Sequence, residues 1–101
     1  MSQASVTAAG GGELMLSGVI DYRTGPALRE QGASLIKAST AAALTLDCTG
    51  VEKSSSVGLA LLLAFMRDAQ AAGKSLSVRA LPEDMQEIAQ VSGLTELLQH
   101  H

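Results

Sequence analysis

The sequence has few of the features that several functional classes require. Its 101 residues include no tryptophan and only two aromatic side chains, Tyr22 and Phe65, which leaves no stacking platform for single-stranded nucleic acid. Ten acidic and seven basic residues give a net charge of -3. The basic residues form no cluster, so neither nucleic acid nor an anionic membrane surface is an expected partner. The longest apolar run, residues 59–66, is too short to span a bilayer.

Cysteine and histidine are equally scarce, which excludes most catalytic and metal-binding arrangements. Cys48 is alone, so it cannot form an intramolecular disulfide, and its place after an apolar stretch predicts a buried core residue. His100 and His101 suit a purification-tag remnant or a frayed end better than a base or a metal ligand. No P-loop, nucleophile elbow or paired-cysteine motif occurs. We therefore expect no enzymatic activity, no cofactor and no metal site.

Hydrophobic periodicity predicts strands and helices that alternate after an initial hairpin. The predicted strands are residues 5–9, 13–20, 43–47 and 75–81. Helices are predicted to begin at Thr24, at the serines 54–56 and at Pro82, and a last short helical turn is expected at Leu94, Leu97 and Leu98. The order ββαβαβαα indicates an α/β fold, with a mixed sheet of about four strands and helices packed on one side. We expect a single domain over residues 1–101.

Three single residues carry structural expectations. Gly32 lies on the apolar face of the first helix, where it costs about 1 kcal/mol of helix propensity relative to alanine. Close approach to a neighbouring strand is the expected compensation. Asp21 and Asp47 follow predicted strands, and we expect their carboxylates to organise turns.

The segment between the third strand and the second helix is the place where a partner or ligand is expected. Functional loops of open α/β sheets gather beyond the carboxyl ends of strands. Ser54, Ser55 and Ser56 precede the most apolar helix, and a helix N-terminus favours an anion such as a phosphate, bound or attached to a serine. N-capping alone accounts for one of these serines.

Two segments of the sequence resemble the STAS-domain family, the fold of bacterial anti-sigma-factor antagonists and of sulfate-transporter tails. They are LTLDCTGVEKSSSVGLALLL at residues 44–63 and IAQVSGLTELL at residues 88–98. In that family the third strand typically ends in Asp-Leu-Ser. Asp47 matches the Asp of this motif and Thr49 matches its hydroxyl residue. The resemblance implies the STAS fold for nearly the whole chain.

The family's second helix typically opens with Asp-Ser-Ser-Gly-Leu or Asp-Thr-Gly-Gly-Leu. Ser56 matches the hydroxyl residue of this motif, and Gly58 and Leu59 match its Gly-Leu. Ser55 stands where the family usually has Asp, beside the hydroxyl that is phosphorylated in the antagonists. This chain therefore departs from the pattern of the phosphorylation switch.

Within the family, the run at residues 58–63 is most similar to the STAS subunit of the Mla system, a bacterial ABC transporter. That transporter moves phospholipid between the inner and outer membranes and maintains outer-membrane lipid asymmetry. The resemblance implies a non-catalytic cytoplasmic subunit, held at the inner membrane by docking on the transporter's ATPase in a complex with permease and lipid-binding subunits. The implied partner-binding residues are Ser54, Ser55, Ser56, Val57 and Leu59.

Two alternatives remain open within the same family. An anti-sigma-factor antagonist would be switched by phosphorylation of Ser56, since a phosphoserine adds about -1.5 to -2 charges to a docking surface. A STAS module that binds a small ligand would need a polar pocket, and the sequence identifies none.

Overall fold

The computed structural model describes residues 4–54, 56–91 and 93. Over these residues the order is ββαβαβα, as predicted. The strands are β1 (Ser5–Gly10), β2 (Glu13–Ile20), β3 (Ala43–Ser54) and β4 (Ser75–Arg79), and the helices are α1 (Gly25–Ala38), α2 (Ser56–Ala71) and α3 (Glu83–Val91). The last helical turn predicted at Leu94, Leu97 and Leu98 lies outside the described residues, as do Ser55, His100 and His101.

The four strands form one mixed sheet in the order β1-β2-β3-β4. β1 and β2 are antiparallel, whereas β3 is parallel to both of its neighbours. The hairpin between β1 and β2 turns at Gly10, Gly11 and Gly12, whose φ angles are 90°, 61° and 81°. Residues that carry a side chain rarely adopt this left-handed backbone region, so the three glycines make the turn possible. The predicted hairpin and mixed sheet are confirmed.

One face of the sheet is buried beneath the helices, as predicted. Alternate side chains of β2 and β3 point into the core, and these are Leu14, Leu16, Ile20, Leu44, Leu46 and Cys48. They join a cluster that includes Leu28 of α1, Phe65 of α2 and Met85 of α3. Side chains on the opposite face are exposed or half-buried, for example Met15, which is 41% exposed. This period of two along the strands is what a sheet with one covered face requires.

β3 is longer than its predicted extent of residues 43–47. A turn organised by Asp47 was expected after this strand, but the strand continues to Ser54. The strand is extended by tertiary structure, because the backbone of β2 pairs with β3 as far as Ile20, which lies opposite Ser54. The pairing of β2 with β3 shifts register at two places, between Met15 and Ser17 and between Gly18 and Val19, along the polar second half of β3.

The predicted start of α1 at Thr24 is confirmed, and one expectation about this helix was wrong. Thr24 stands at the N-cap but makes no side-chain capping bond, since its hydroxyl donates to the carbonyl of Val19 at 3.0 Å. Gly32 approaches a helix rather than a strand, because a Cβ at this position would overlap the ring of Phe65 in α2.

Candidate functional site

The candidate site lies at one edge of the sheet, where β2 and β3 both end. Because these strands are parallel, their carboxyl ends meet at the same edge. β2 continues from Ile20 into the β2–α1 loop (residues 21–24), and β3 continues from Ser54 towards α2. We call Ser54, Ser56 and Val57 the α2-opening surface. Ser55, the fourth member predicted here, lies outside the described residues.

Ser54 holds the end of β3 against α3. Its backbone N–H donates to the Asp84 carboxylate at 3.4 Å. Its hydroxyl oxygen is buried and has no hydrogen-bond partner among the described residues. Gly58 allows this close packing, because a Cβ there would lie 3.1 Å from the Cβ of Ser54 and 3.3 Å from the sulfur of Met85. A glycine at this position therefore lets α2 begin directly against β3 and α3.

The other predicted contact residues differ in accessibility. Ser56, the first residue of α2, is exposed, and Val57 is half-buried. Leu59 is only 5% exposed and belongs to the hydrophobic core. Its side chain packs α2 against the core, where a docking partner does not contact it. Leu59 is therefore removed from the predicted contact residues, while Ser56 and Val57 remain at the surface.

The first turn of α2 contains no acidic side chain. The unpaired N–H groups of a helix start carry a partial positive charge, so this end of α2 is compatible with a negatively charged group. Within residues 4–54, 56–91 and 93, no group of three or more histidine, cysteine, aspartate or glutamate side chains could hold a metal ion. Cys48 is buried, and burial raises the pKa of its thiol to about 12, which leaves it protonated and a poor nucleophile.

Asp21 organises a turn as predicted, whereas Asp47 lies within β3, so the turn predicted there was wrong. Asp21 accepts the backbone N–H groups of Arg23 at 2.9 Å and of Thr24 at 3.1 Å, and these bonds, that from Thr24 foremost, lower its pKa. Asp47 accepts both the hydroxyl and the N–H of Thr49. Asp47 lies seven residues before Ser54 along β3, which corresponds to about 20 Å of extended strand. The structure therefore places Asp21 beside the α2-opening surface and Asp47 far from it.

Sequence reasoning missed two residues at this edge, Tyr22 and Arg23. Tyr22 is 76% exposed, and the guanidinium carbon of Arg23 lies 5.7 Å from the centre of its ring. Neither residue belongs to a recognised motif. The available signal was indirect, because Tyr22 is the one aromatic residue that stands in a polar turn rather than in an apolar periodic segment.

Comparison with known proteins places this geometry in a family. The chain matches the family model described as "Mlab, STAS domain" over residues 5–99. A chain of the Acinetobacter MlaFEDB complex, solved in an ATP-bound conformation, is similar at 30% identity and a TM-score of 0.76, over 87% of this chain and 92% of that chain. No curated protein is similar enough to count as a match.

Anti-sigma-factor antagonists are similar as well. One from Mycobacterium paratuberculosis has 26% identity and a TM-score of 0.73, over 97% of this chain and 83% of that chain. Unphosphorylated SpoIIAA has 16% identity and a TM-score of 0.71, over 92% of this chain and 83% of that chain, so it shares the fold. Among the described residues, no helix is long and apolar enough to cross a membrane.

Proposed function

Because the chain belongs to the STAS family, in its Mlab-type branch, we propose that it is a non-catalytic subunit of a bacterial phospholipid-transport ABC transporter of the Mla type. In this role it docks on the ATPase subunit, in a complex with permease and lipid-binding subunits, and supports the activity that maintains outer-membrane lipid asymmetry. The chain is then cytoplasmic and peripheral to the inner membrane through its partner. In this proposal residues 1–101 form the single STAS domain that docks.

The observation that carries this proposal is the similarity to a chain of the MlaFEDB complex. That similarity reaches 30% identity and covers most of both chains, whereas the similarity to SpoIIAA, at 16% identity, supports the shared fold alone. STAS domains generally act by binding other proteins, and the geometry described above is compatible with such a role. The chemistry of the α2-opening surface, with an exposed serine hydroxyl and no titratable cluster, favours binding over catalysis.

Ser56 is the residue through which we propose to test docking. Ser56 is the exposed first residue of α2 and does not occupy the N-cap position before it, so Ser56→Ala should change the stability by no more than about 0.5 kcal/mol. Substitution Ser56→Arg adds bulk and a cation at the positive end of α2, which costs a few tenths to about 1 kcal/mol in stability. Neither change unfolds a domain of ordinary stability. The arginine should nevertheless abolish docking, because a desolvated interface tolerates neither its bulk nor its unpaired charge.

The experiment is affinity purification of tagged wild-type, Ser56→Ala and Ser56→Arg chains from the source cell, with mass spectrometry of the bound proteins. Ser34→Arg, at an exposed position of α1, is the matched control for an added arginine. We expect ATPase, permease and lipid-binding subunits with wild type and with the control, and their loss with Ser56→Arg. A folded Ser56→Arg chain that still retains the ATPase would remove Ser56 from the docking surface.

An anti-sigma-factor antagonist is the alternative that a specific observation favours, namely the 26% identity to the Mycobacterium paratuberculosis protein. That function predicts a different pattern at Ser56. Ser56→Ala would keep the partner and Ser56→Asp would lose it, in step with a kinase that modifies the wild-type serine. Co-purification of an anti-sigma kinase in place of the transporter subunits would establish this alternative.

A further inference from the structure

The β2–α1 loop and the start of α2 form one continuous surface. Gly25, the first residue of α1, packs directly on α2, since a Cβ at this position would lie 3.1 Å from Cγ1 of Val57. At the base of the same edge, Ile20 of β2 pairs with Ser54 of β3. Tyr22 and Arg23 lie between these two points of contact along the chain. The loop that carries them therefore lies beside the α2-opening surface.

The backbone of this loop is held in place by a compact set of hydrogen bonds. The Asp21 carboxylate accepts the N–H groups of Arg23 and Thr24. The Thr24 hydroxyl accepts the N–H of Asp21 at 3.0 Å and donates to the carbonyl of Val19 at 3.0 Å. A fixed loop loses little conformational freedom when a partner binds, which favours affinity. Tyr22 and Arg23 are thus exposed side chains on an ordered backbone.

The chemistry of the pair is that of an interface anchor. Tyr22 is an exposed aromatic in a chain whose other aromatic, Phe65, is buried. Arg23 lies over its ring and takes part in none of the ion pairs among the described residues. The nearby Asp21 carboxylate accepts the backbone N–H groups of Thr24 and Arg23, and these bonds together with the Arg23 charge lower its pKa, while the Asp84 carboxylate accepts the N–H of Ser54. Tyrosine and arginine are over-represented among the residues that dominate binding energy at protein interfaces.

We propose that Tyr22 and Arg23 extend the α2-opening surface and anchor the docked protein. The partner that fits this pair presents an apolar pocket for the phenol ring, with a carboxylate at its rim for the guanidinium. Taken with the proposed function, on which this identification rests, the partner is the ATPase subunit. The anchor lies on a different element from Ser56, so it contacts the partner independently of that serine.

The test measures binding of the purified chain to the purified ATPase subunit. Tyr22→Ala should raise the Kd about 10- to 30-fold, as truncation of an interface aromatic does. Tyr22→Phe should stay within about twofold of wild type, because the ring and not the hydroxyl fills the pocket. Arg23→Ala should lower the association rate and weaken its dependence on salt, since it removes a charge from the interface.

Two control variants match these changes away from the site. Met15→Ala truncates an exposed apolar side chain on the open face of the sheet. Arg67→Ala removes an exposed cation 11 residues after the start of α2, about 16 Å along the helix. Both should bind like wild type. The variants at Tyr22, Arg23 and Arg67 should melt within about 2 °C of wild type, because each alters a largely exposed side chain, and Met15→Ala should melt somewhat lower, since Met15 is 41% exposed. Wild-type affinity in the folded Tyr22→Ala chain would overturn the proposal.

Failure of the anchor and failure of the proposed function give different results. The same variants are therefore compared by quantitative affinity purification from the source cell. If wild type retains an anti-sigma kinase and Tyr22→Ala loses it, the anchor stands and the transporter function is wrong. If wild type retains the ATPase and Tyr22→Ala retains it equally, the anchor is wrong and the function stands.

Discussion

The packing of α1 on α2 depends on a single missing methyl group. Gly32 lies on the buried face of α1, and a Cβ at this position would overlap the Cε1 and Cζ atoms of Phe65. The Phe65 ring is 1% exposed and surrounded by core side chains, so it has little freedom to move away. The propensity that glycine costs in a helix is offset by this contact between the helices.

Substitution Gly32→Ala is therefore expected to destabilise the fold. Overpacking of a filled core costs about 1–3 kcal/mol, which is more than the roughly 1 kcal/mol of helix propensity that alanine gains. Urea unfolding should show the loss relative to wild type. The control is Ser34→Ala, an exposed position two residues further along α1, which should leave stability unchanged or slightly higher. A Gly32→Ala chain as stable as wild type would contradict this account of the packing.

Gly32 also shows what hydrophobic periodicity can predict about a single residue. The recurrence of Leu28, Gly32, Leu35 and Ile36 predicts one face of a helix. Leu35 is half-buried and the other three residues are buried. The expected neighbour of Gly32 was wrong, because periodicity identifies the buried face without identifying what packs against it. Phe65 is 33 positions away in the sequence, and only the packing of α1 on α2 brings the two together.

At the scale of elements, the end of α1 is fixed by a side chain that precedes β4. The ammonium group of Lys74 donates to the carbonyl of Ile36 at 2.6 Å and to that of Ser39 at 2.5 Å. Carbonyl groups in the last turn of a helix lack partners within the helix, and they carry partial negative charge. Lys74 therefore caps α1 from a distant part of the sequence and ties it to the start of β4.

Substitution Lys74→Met should remove this cap while keeping most of the length of the side chain. We expect a loss of about 1 kcal/mol, the typical net contribution of such hydrogen bonds at a partly exposed site. The matched control is Lys37→Met in the last turn of α1, where the lysine is exposed. Both variants lose a cation near the same helix end. A larger drop in melting temperature for Lys74→Met therefore measures the contribution of its two hydrogen bonds to stability. Equal drops would assign the whole effect to the helix dipole.

The boundaries of elements were predicted where the local sequence determines them. β2 begins and ends as predicted, because its alternation and the preceding glycines are local signals. The end of β3 was predicted wrongly, since the polar residues after Cys48 resemble a turn. They extend the strand only because β2 pairs with them, and this pairing joins segments about thirty residues apart.

At the scale of the whole molecule, a polar cluster joins three strands across the face opposite the helices. Arg79 of β4 donates to Asp47 of β3 at 2.8 Å and also forms an ion pair with Glu13 of β2. Hydrogen bonds from Thr49, together with that from Arg79, lower the pKa of Asp47 from 3.8 to about 2. The ionised carboxylate is therefore favoured in the folded state.

This shift makes the stability of the fold dependent on acid pH. Because the pKa of Asp47 is lower in the folded chain than in the unfolded chain, its contribution is fully present above pH 3.8 and is lost as the pH falls towards 2. We expect the melting temperature of wild type to fall over this range. The melting temperature of Asp47→Asn should fall less steeply over the same pH range. Some pH dependence should remain, because the pKa of Asp21 is also lowered in the folded chain. Parallel curves for the two proteins would exclude Asp47 as a source of the acid sensitivity.

The sequence by itself determined the order of the elements, the faces that are buried and the family. Alternation, glycine turns and helix-capping residues act over a few positions, so they can be interpreted without coordinates, and the Gly-Leu motif at Gly58 and Leu59 already indicated a STAS domain. Only the tertiary structure decided which residues share the edge beside α2. It buried Leu59 in the core and left Ser56 exposed. It also packed Gly25, which follows the loop that holds Tyr22, against Val57, because the parallel pairing of β2 and β3 joins two loops that no local signal connects.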